Sequence, residues 1–167
     1  PMNSLEGYVR QLFWREFQRY CFIHAKPLLD KNYFDYTPKK IHFDTWYNPD
    51  EENITGILPV DDCIKKAMRD GYLHHIERLM VIGNYMVLSN ICPMEGYKWF
   101  MEFAIDSYDW VMCQNVYDMV FFRSGGKTTS KPYISSSNYL LKMSNYPKAI
   151  WAKKWDTLYD DFLQENK

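Results

Sequence analysis

Apolar side chains recur at helical spacing at both ends of the chain, and few stretches alternate as a strand would. At one end Leu5, Tyr8, Val9, Leu12, Phe13, Tyr20 and His24 predict a helix reaching about His24, with Asn3 or Ser4 as its cap. At the other, Trp151, Trp155, Leu158 and Phe162 follow one another at spacings of four, three and four. Between them the pattern predicts a short helix from Pro59 or Asp61 to Arg69, stopped near Gly71. Further helices are expected over Tyr72 to Leu88, Pro93 to about Asp106 and Ser136 to Met143. Residues 25–58 hold no period and read as a long irregular connection, Arg123 to Tyr133 reads as a polar loop, and Tyr108 to Met119 fits no single period. The expected fold class is all-α.

The chain has 167 residues, enough for one compact domain with a real core. Six Trp, fourteen Tyr and ten Phe are a heavy aromatic load, which fits a filled core and also a planar ligand, stacked bases or an electron-hopping path. A net charge of −1 excludes the global basic signature of a nucleic-acid binder. Local groups remain: Arg10, Arg15 and Arg19; Lys65, Lys66 and Arg69; Lys127 and Lys131. Cys21, Cys63, Cys92 and Cys113 stand far apart, which suggests neither a zinc site nor a disulfide framework and favours a reducing, intracellular compartment such as cytoplasm or nucleus. No stretch approaches a membrane span.

Three clusters could carry chemistry. In "GYLHHIERLMVIGN" (Gly71 to Asn84) an apolar helix holds two histidines, a glutamate and an arginine within five residues, and such groups must be satisfied. Spacing alone favours a structural ion pair of Arg78 over an imidazole placed to move protons. In "AIDSYDWVMCQN" (Ala104 to Asn115) Asp106 and Asp109 are one helical turn apart, so both could face one site, one of them pairing with Arg78. In "RQLFWREFQRY" (Arg10 to Tyr20) Trp14, beside Arg15 and Arg19, is either a base-stacking platform or a core residue flanked by solvated cations. The "SGGK" of Ser124 to Lys127 lacks phosphate-loop spacing.

Taken in order, "LEGYVRQLFWREF", "TGILPVDDCIKKAMRDGYLHHIERLMVIGNY", "AIDSYDWVMCQN", "SKPYISSSNYLLKMSNY" and "WDTLYDDFL" resemble the C-terminal part of the deoxyribodipyrimidine photolyase-related proteins. That group lies within the photolyase and cryptochrome superfamily and includes the iron–sulfur bacterial (6-4) photolyases. The resemblance covers nearly the whole chain and is weakest from Ala25 to Asn53. It implies part of an all-α domain that binds FAD, and a light-driven electron transfer from the flavin to a pyrimidine photoproduct flipped out of DNA. Matched position by position, it makes His75 and Gln11 the catalytic candidates, with Gln11 favouring the (6-4) branch. Tyr8, His75, Arg78, Asp106, Asp109 and Asn115 become the cofactor-binding candidates, with Arg78 and Asp106 as an ion pair beside the flavin ring. Trp110 is the electron-transfer candidate, and Trp14, Arg15 and Lys131 are the candidate DNA contacts.

The chain also departs from the family pattern. Cys63 falls where the first of four cluster cysteines lies, but the "YCxxC" of the cluster-bearing members is replaced by Tyr146-Pro147-Lys148-Ala149-Ile150. One thiolate cannot hold such a cluster, so neither an iron–sulfur cluster nor any other metal is expected. The residues compare with the later part of the helical domain, without its antenna domain, early helices or the turn that grips the flavin phosphates. The whole of residues 1–167 is therefore expected to be a single partial domain whose tight FAD binding needs the missing part, excised or supplied by a separate chain. The expected partner is DNA carrying a UV photoproduct, and no membrane is expected. A non-catalytic nucleic-acid-binding helical module and a light sensor without repair are the alternatives.

Overall fold

The computed structural model describes residues 2–25, 33–34, 43–48 and 54–166. Seven α-helices lie among them: α1 (Met2–His24), α2 (Leu58–Asp70), α3 (Asn84–Leu88), α4 (Pro93–Phe103), α5 (Asp109–Gln114), α6 (Ser137–Met143) and α7 (Ile150–Glu165). A π-helical segment, Glu77–Gly83, runs into α3, another, Asn115–Val120, continues α5, and Phe43–Tyr47 forms a 3-10 turn. No strand occurs among the described residues, and the fold is all-α as the spacing predicts. Most of the irregular connection expected over 25–58 lies outside the described residues.

Boundaries differ from expectation where capping chemistry decides them. The first helix already includes Met2, so neither Asn3 nor Ser4 caps it. Gly71, at φ 61°, ends α2 and donates its N–H to the Ala67 carbonyl at 2.9 Å. Glycine adopts that left-handed turn most readily, and a Cβ at this position would stand 2.9 Å from Ile105 Cγ2. The helix expected from Tyr72 instead begins at His75, and His74 stands outside it. The His74 ring nitrogen Nδ1 accepts the Ile76 N–H at 3.2 Å, while Glu77 Oε2 accepts the His74 N–H at 2.8 Å. This is a reciprocal capping box with histidine in the role usually held by serine or threonine. Lys66 anchors the same glutamate at 2.8 Å. The far end of α3 closes in a Schellman turn: Asn90 takes φ 55°, Ile91 N–H reaches the Met86 carbonyl at 2.9 Å, and Asn90 N–H reaches that of Val87 at 3.0 Å. The ambiguous stretch from Tyr108 is the start of α5 and its π-helical continuation.

The core is aromatic. Trp46 and Trp99 meet edge to face at 5.1 Å, both fully buried, with Phe100 and Phe103 against Trp99. The stripe predicted on α7 faces inward: Trp151, Trp155 and Phe162 are buried and Leu158 packs against the core. Trp155 donates its indole N–H to the Ser135 carbonyl at 3.0 Å, and Asp156 accepts both the Ser137 N–H and hydroxyl at 2.8 Å, fixing the start of α6.

The two π-helical segments pack against each other at Gly83. A Cβ there would stand 2.7 Å from Val120 Cγ2 and 2.9 Å from the Arg78 carbonyl oxygen, so only glycine permits the approach. A π turn carries one more residue than an α turn, which re-aims the side chains around it. This crossing brings Arg78 and Leu79 on one segment opposite Asn115 and Met119 on the other.

Candidate functional site: two cavities with a common wall

Two adjoining cavities lie beside the π-helical crossing. The inner one, about 210 Å³, is mostly apolar, with Leu73, Phe100, Met112 and Val116 in its wall and Tyr72, Arg78 and Asp106 as polar members. The outer one, about 670 Å³, is closed on one side by Gln11, Trp14 and Gln18 of α1 and on the other by the chain from Lys131 to Ser135. His75, Leu79, Asn115 and Met119 line both. They form the partition.

Arg78 is locked. Its Nη2 donates to both carboxylate oxygens of Asp106, at 2.9 and 3.1 Å, its Nε donates to the Leu73 carbonyl at 2.6 Å, and the guanidinium lies 5.0 Å from the centre of the Tyr72 ring. A mostly buried cation so held keeps its charge fixed against the inner cavity. His75 is governed by different terms. Burial of its ring, then the nearby His74 and Arg78, hold the His75 pKa below that of an ordinary imidazole. At neutral pH it is a neutral ring with one N–H and one free nitrogen; the residue as a whole is exposed to solvent, so the burial that lowers its pKa is that of the ring's cavity-facing side alone.

Of the residues singled out from the sequence, Gln11, Trp14, Lys131, His75 and Asn115 meet at the outer cavity, and His75, Arg78, Asp106 and Asn115 at the inner. Four others lie elsewhere. Tyr8 is 64% exposed and lines neither cavity. Arg15 turns to its neighbour Glu16 at 3.0 Å, on the solvent face of α1. Asp106 and Asp109 do not share a helix face, because α4 ends at Phe103 and α5 begins at Asp109. Asp109 instead accepts the hydroxyl of Tyr97. Trp110 lines neither cavity; the Arg19 guanidinium sits 4.8 Å from its ring centre and Tyr108 stacks on it at 6.2 Å.

Sequence reasoning missed Gln18, Tyr72 and Ser135. For Gln18 the signal was present, since Gln11, Trp14 and Gln18 fall at i, i+3 and i+7 on one helix face. Tyr72 and Ser135 sit in non-helical connections, where no period could mark them. The glycine loop is not a phosphate cradle: Ser124 Oγ accepts the Lys127 and Thr128 N–H groups at 3.1 Å, and buried Asp118 accepts the Ser124 N–H and the Thr128 hydroxyl. Among the described residues no three His, Cys, Asp or Glu side chains converge as metal ligands would. Cys63 is buried, and burial together with Glu77 pushes its thiol up to about 12, so it stays protonated at neutral pH.

An all-α fold with an ion-paired cavity beside a larger, likewise mostly apolar one fits the FAD-binding helical domain of the photolyase class. Residues 8–156 match the family model described as the FAD binding domain of DNA photolyase, and the chain belongs to that family. A (6-4) photolyase of Agrobacterium fabrum (strain C58) is 34% identical over all of this chain, which covers 34% of that protein. An uncharacterized protein of Acanthamoeba polyphaga mimivirus is 58% identical over 88 residues, 52% of this chain and 72% of that protein. The mitochondrial deoxyribodipyrimidine photo-lyase of Saccharomyces cerevisiae is 25% identical over 92% of this chain and 27% of its own length. The chain thus spans 34% and 27% of the length of these two photolyase relatives.

Proposed function

We propose that this chain is the flavin-facing part of a DNA-repair photolyase of the (6-4) type, with the flavin ring at the inner cavity and a flipped pyrimidine photoproduct in the outer one. The observation that carries the reading is the common wall: His75 and Asn115 line both cavities, so one side chain reaches both occupants. The residues present fit a flavin ring. The inner cavity offers apolar walls for its faces, the fixed charge of Arg78 and the carboxamide of Asn115 for its polar edge. When bound and excited by light, the flavin supplies the electron.

The chain's own residues do the rest. Trp14 lines the outer cavity and supplies an indole on which a base can stack, and Gln11 beside it offers a carboxamide to the base edge. Lys131, at the other rim, offers its ammonium to a DNA phosphate. His75, neutral at rest, takes up a proton from solvent at its free ring nitrogen and, as the transient imidazolium, passes a proton to an oxygen or nitrogen of the lesion, returning to the neutral ring. Asp106 keeps Arg78 in place and so fixes the charge beside the ring.

The chain is read as one partial domain of a longer assembly, with the remainder supplied in the same polypeptide or by a separate chain. It is read as having no iron–sulfur cluster, because the cysteine pair of the cluster-bearing members is replaced by Tyr146-Pro147-Lys148-Ala149-Ile150. A reducing compartment is the proposed location, and no helix among the described residues is long and apolar enough to cross a membrane. A nucleic-acid-binding module without photochemistry is the second reading. It is favoured by the inner cavity, where Arg78 is the lysine or arginine in the wall and is already committed to Asp106.

Flavin absorbance of the purified chain, alone and with the upstream part of the family domain, separates the two readings; a colourless protein in both preparations overturns the flavin reading. In a flavin-loaded assembly, His75→Ala is expected to abolish (6-4) repair while flavin is retained, and unchanged repair removes the proton role. Trp110→Phe is expected to slow photoreduction while sparing repair by chemically reduced flavin. Iron analysis of the same material is expected to find none.

A further inference from the structure

Asn115 is the polar member of the partition whose direction is not fixed by its own chemistry. A carboxamide has a donating and an accepting end of nearly the same shape, so a site built around one must hold it from outside. The hold comes from α1. Gln18 Nε2 donates to Asn115 Oδ1 at 3.3 Å, in a partly buried contact, and both side chains line the outer cavity. With Oδ1 engaged by Gln18, the Nδ2 protons of Asn115 are left for whatever occupies the cavities.

We propose that Gln18 is a positioning residue that orients the Asn115 carboxamide so that its N–H groups, rather than its oxygen, serve a planar heteroaromatic ligand with an acceptor edge. The proposal rests on the flavin reading of the inner cavity and adds a residue of α1 to it. A donating Asn115 lines the inner cavity together with the Arg78 guanidinium, and the two favour a ring that presents acceptors to them. The consequence can be tested because a carboxylate in place of Gln18 accepts but cannot donate once ionised. It would draw the Asn115 N–H groups to itself and turn Oδ1 toward the ligand, whereas the protonated carboxyl restores donation.

The experiment uses the full chain, with Asn side chains labelled with nitrogen-15 and with lumiflavin as the ring probe. His75, Arg78, Asp106 and Lys131 face the same two cavities, so the wild-type titration is the baseline. In Gln18→Leu the Asn115 side-chain amide resonances are expected to move and their exchange with solvent to quicken, and lumiflavin binding to weaken about tenfold, independently of pH beyond the baseline. In Gln18→Glu the amide resonances and the lumiflavin affinity are expected to step together as the introduced carboxyl ionises, approaching wild type on the acid side. Amide resonances in Gln18→Leu that coincide with wild type overturn the proposal, as does equal lumiflavin affinity in wild type and Gln18→Leu. If wild type binds no lumiflavin, the flavin reading of the inner cavity fails, while the amide spectra still decide whether Gln18 holds Asn115.

Discussion

Helix α1 and the crossing of the two π-helical segments are both rich in large apolar residues, yet they end in opposite environments. At the crossing, Leu79, Met80, Val81 and Ile82 on one segment and Val116, Met119 and Val120 on the other are buried. On α1, Leu5, Tyr8, Leu12, Phe13, Phe17, Tyr20 and Ile23 are exposed, Phe13 at 72%. Only near its end, at Cys21 and Ala25, does this part of the chain enter the core. Its other ties include a polar contact, Gln18 to Asn115, and a ring contact, Arg19 over Trp110. The difference teaches that apolar content makes a helix cohesive only where something packs against it. The crossing is a rigid scaffold for the partition. The first helix is one wall of the outer cavity whose far side offers an apolar surface, and photolyase relatives about three times the chain's length suit the proposal that further family structure covers it.

The comparison predicts a graded series of effects. Trp99→Ala, which empties a fully buried site beside Trp46, is expected to cost about 4 kcal/mol, read by urea unfolding. A loss below about 1 kcal/mol would mean that the aromatic core is not where cohesion resides. Next, Gly83→Val should cost about 3 kcal/mol by forcing the segments apart, and lumiflavin binding should fall with it; unchanged stability would deny the close crossing. Asp106→Asn should cost about 1 kcal/mol, less in high salt because the carboxylate is half exposed, and a salt-independent value would remove the ionic account.

A smaller effect attaches to His75, which keeps an open face. Its folded pKa lies below the ordinary value of 6.5, so as pH falls from there the unfolded chain takes up a proton that the folded site resists. Stability is therefore lost on acidification, down to the lower folded pKa. Wild type should lose more Tm than His75→Gln between pH 8 and 5, and parallel curves would contradict the depressed pKa. Smallest of all, Phe13→Ala on the exposed side of α1 should change the stability of the isolated chain by less than about 0.5 kcal/mol. A larger loss would show that α1 is packed in solution, and the contrast with the crossing would collapse.

Much of the helix layout was legible because side chains at three- and four-residue spacing must share a face. The end of α1, Gly71 as the stop of α2, and the Trp151, Trp155 and Phe162 stripe all follow from that rule. Where the reading failed, a contact distant in sequence or a local cap had decided. The helix after Gly71 starts late because His74 and Glu77 cap one another, a use of histidine that residue preferences do not encode. Asp106 and Asp109 part company because the chain breaks between α4 and α5, so spacing in the sequence ceased to be spacing on a surface.

By itself the sequence determined the helical class, the family resemblance and the residue types that could meet at a site, since local periodicity and side-chain chemistry are written along the chain. Only the tertiary structure decided that His75 and Asn115 stand between two cavities, that Arg78 is held by Asp106, and that Tyr8, Arg15, Asp109 and Trp110 lie outside the cavity walls. The reason is physical. Each of these facts depends on how two π-helical segments cross at Gly83 and how α1 leans on α5, and such long-range packing has no period of its own along the chain.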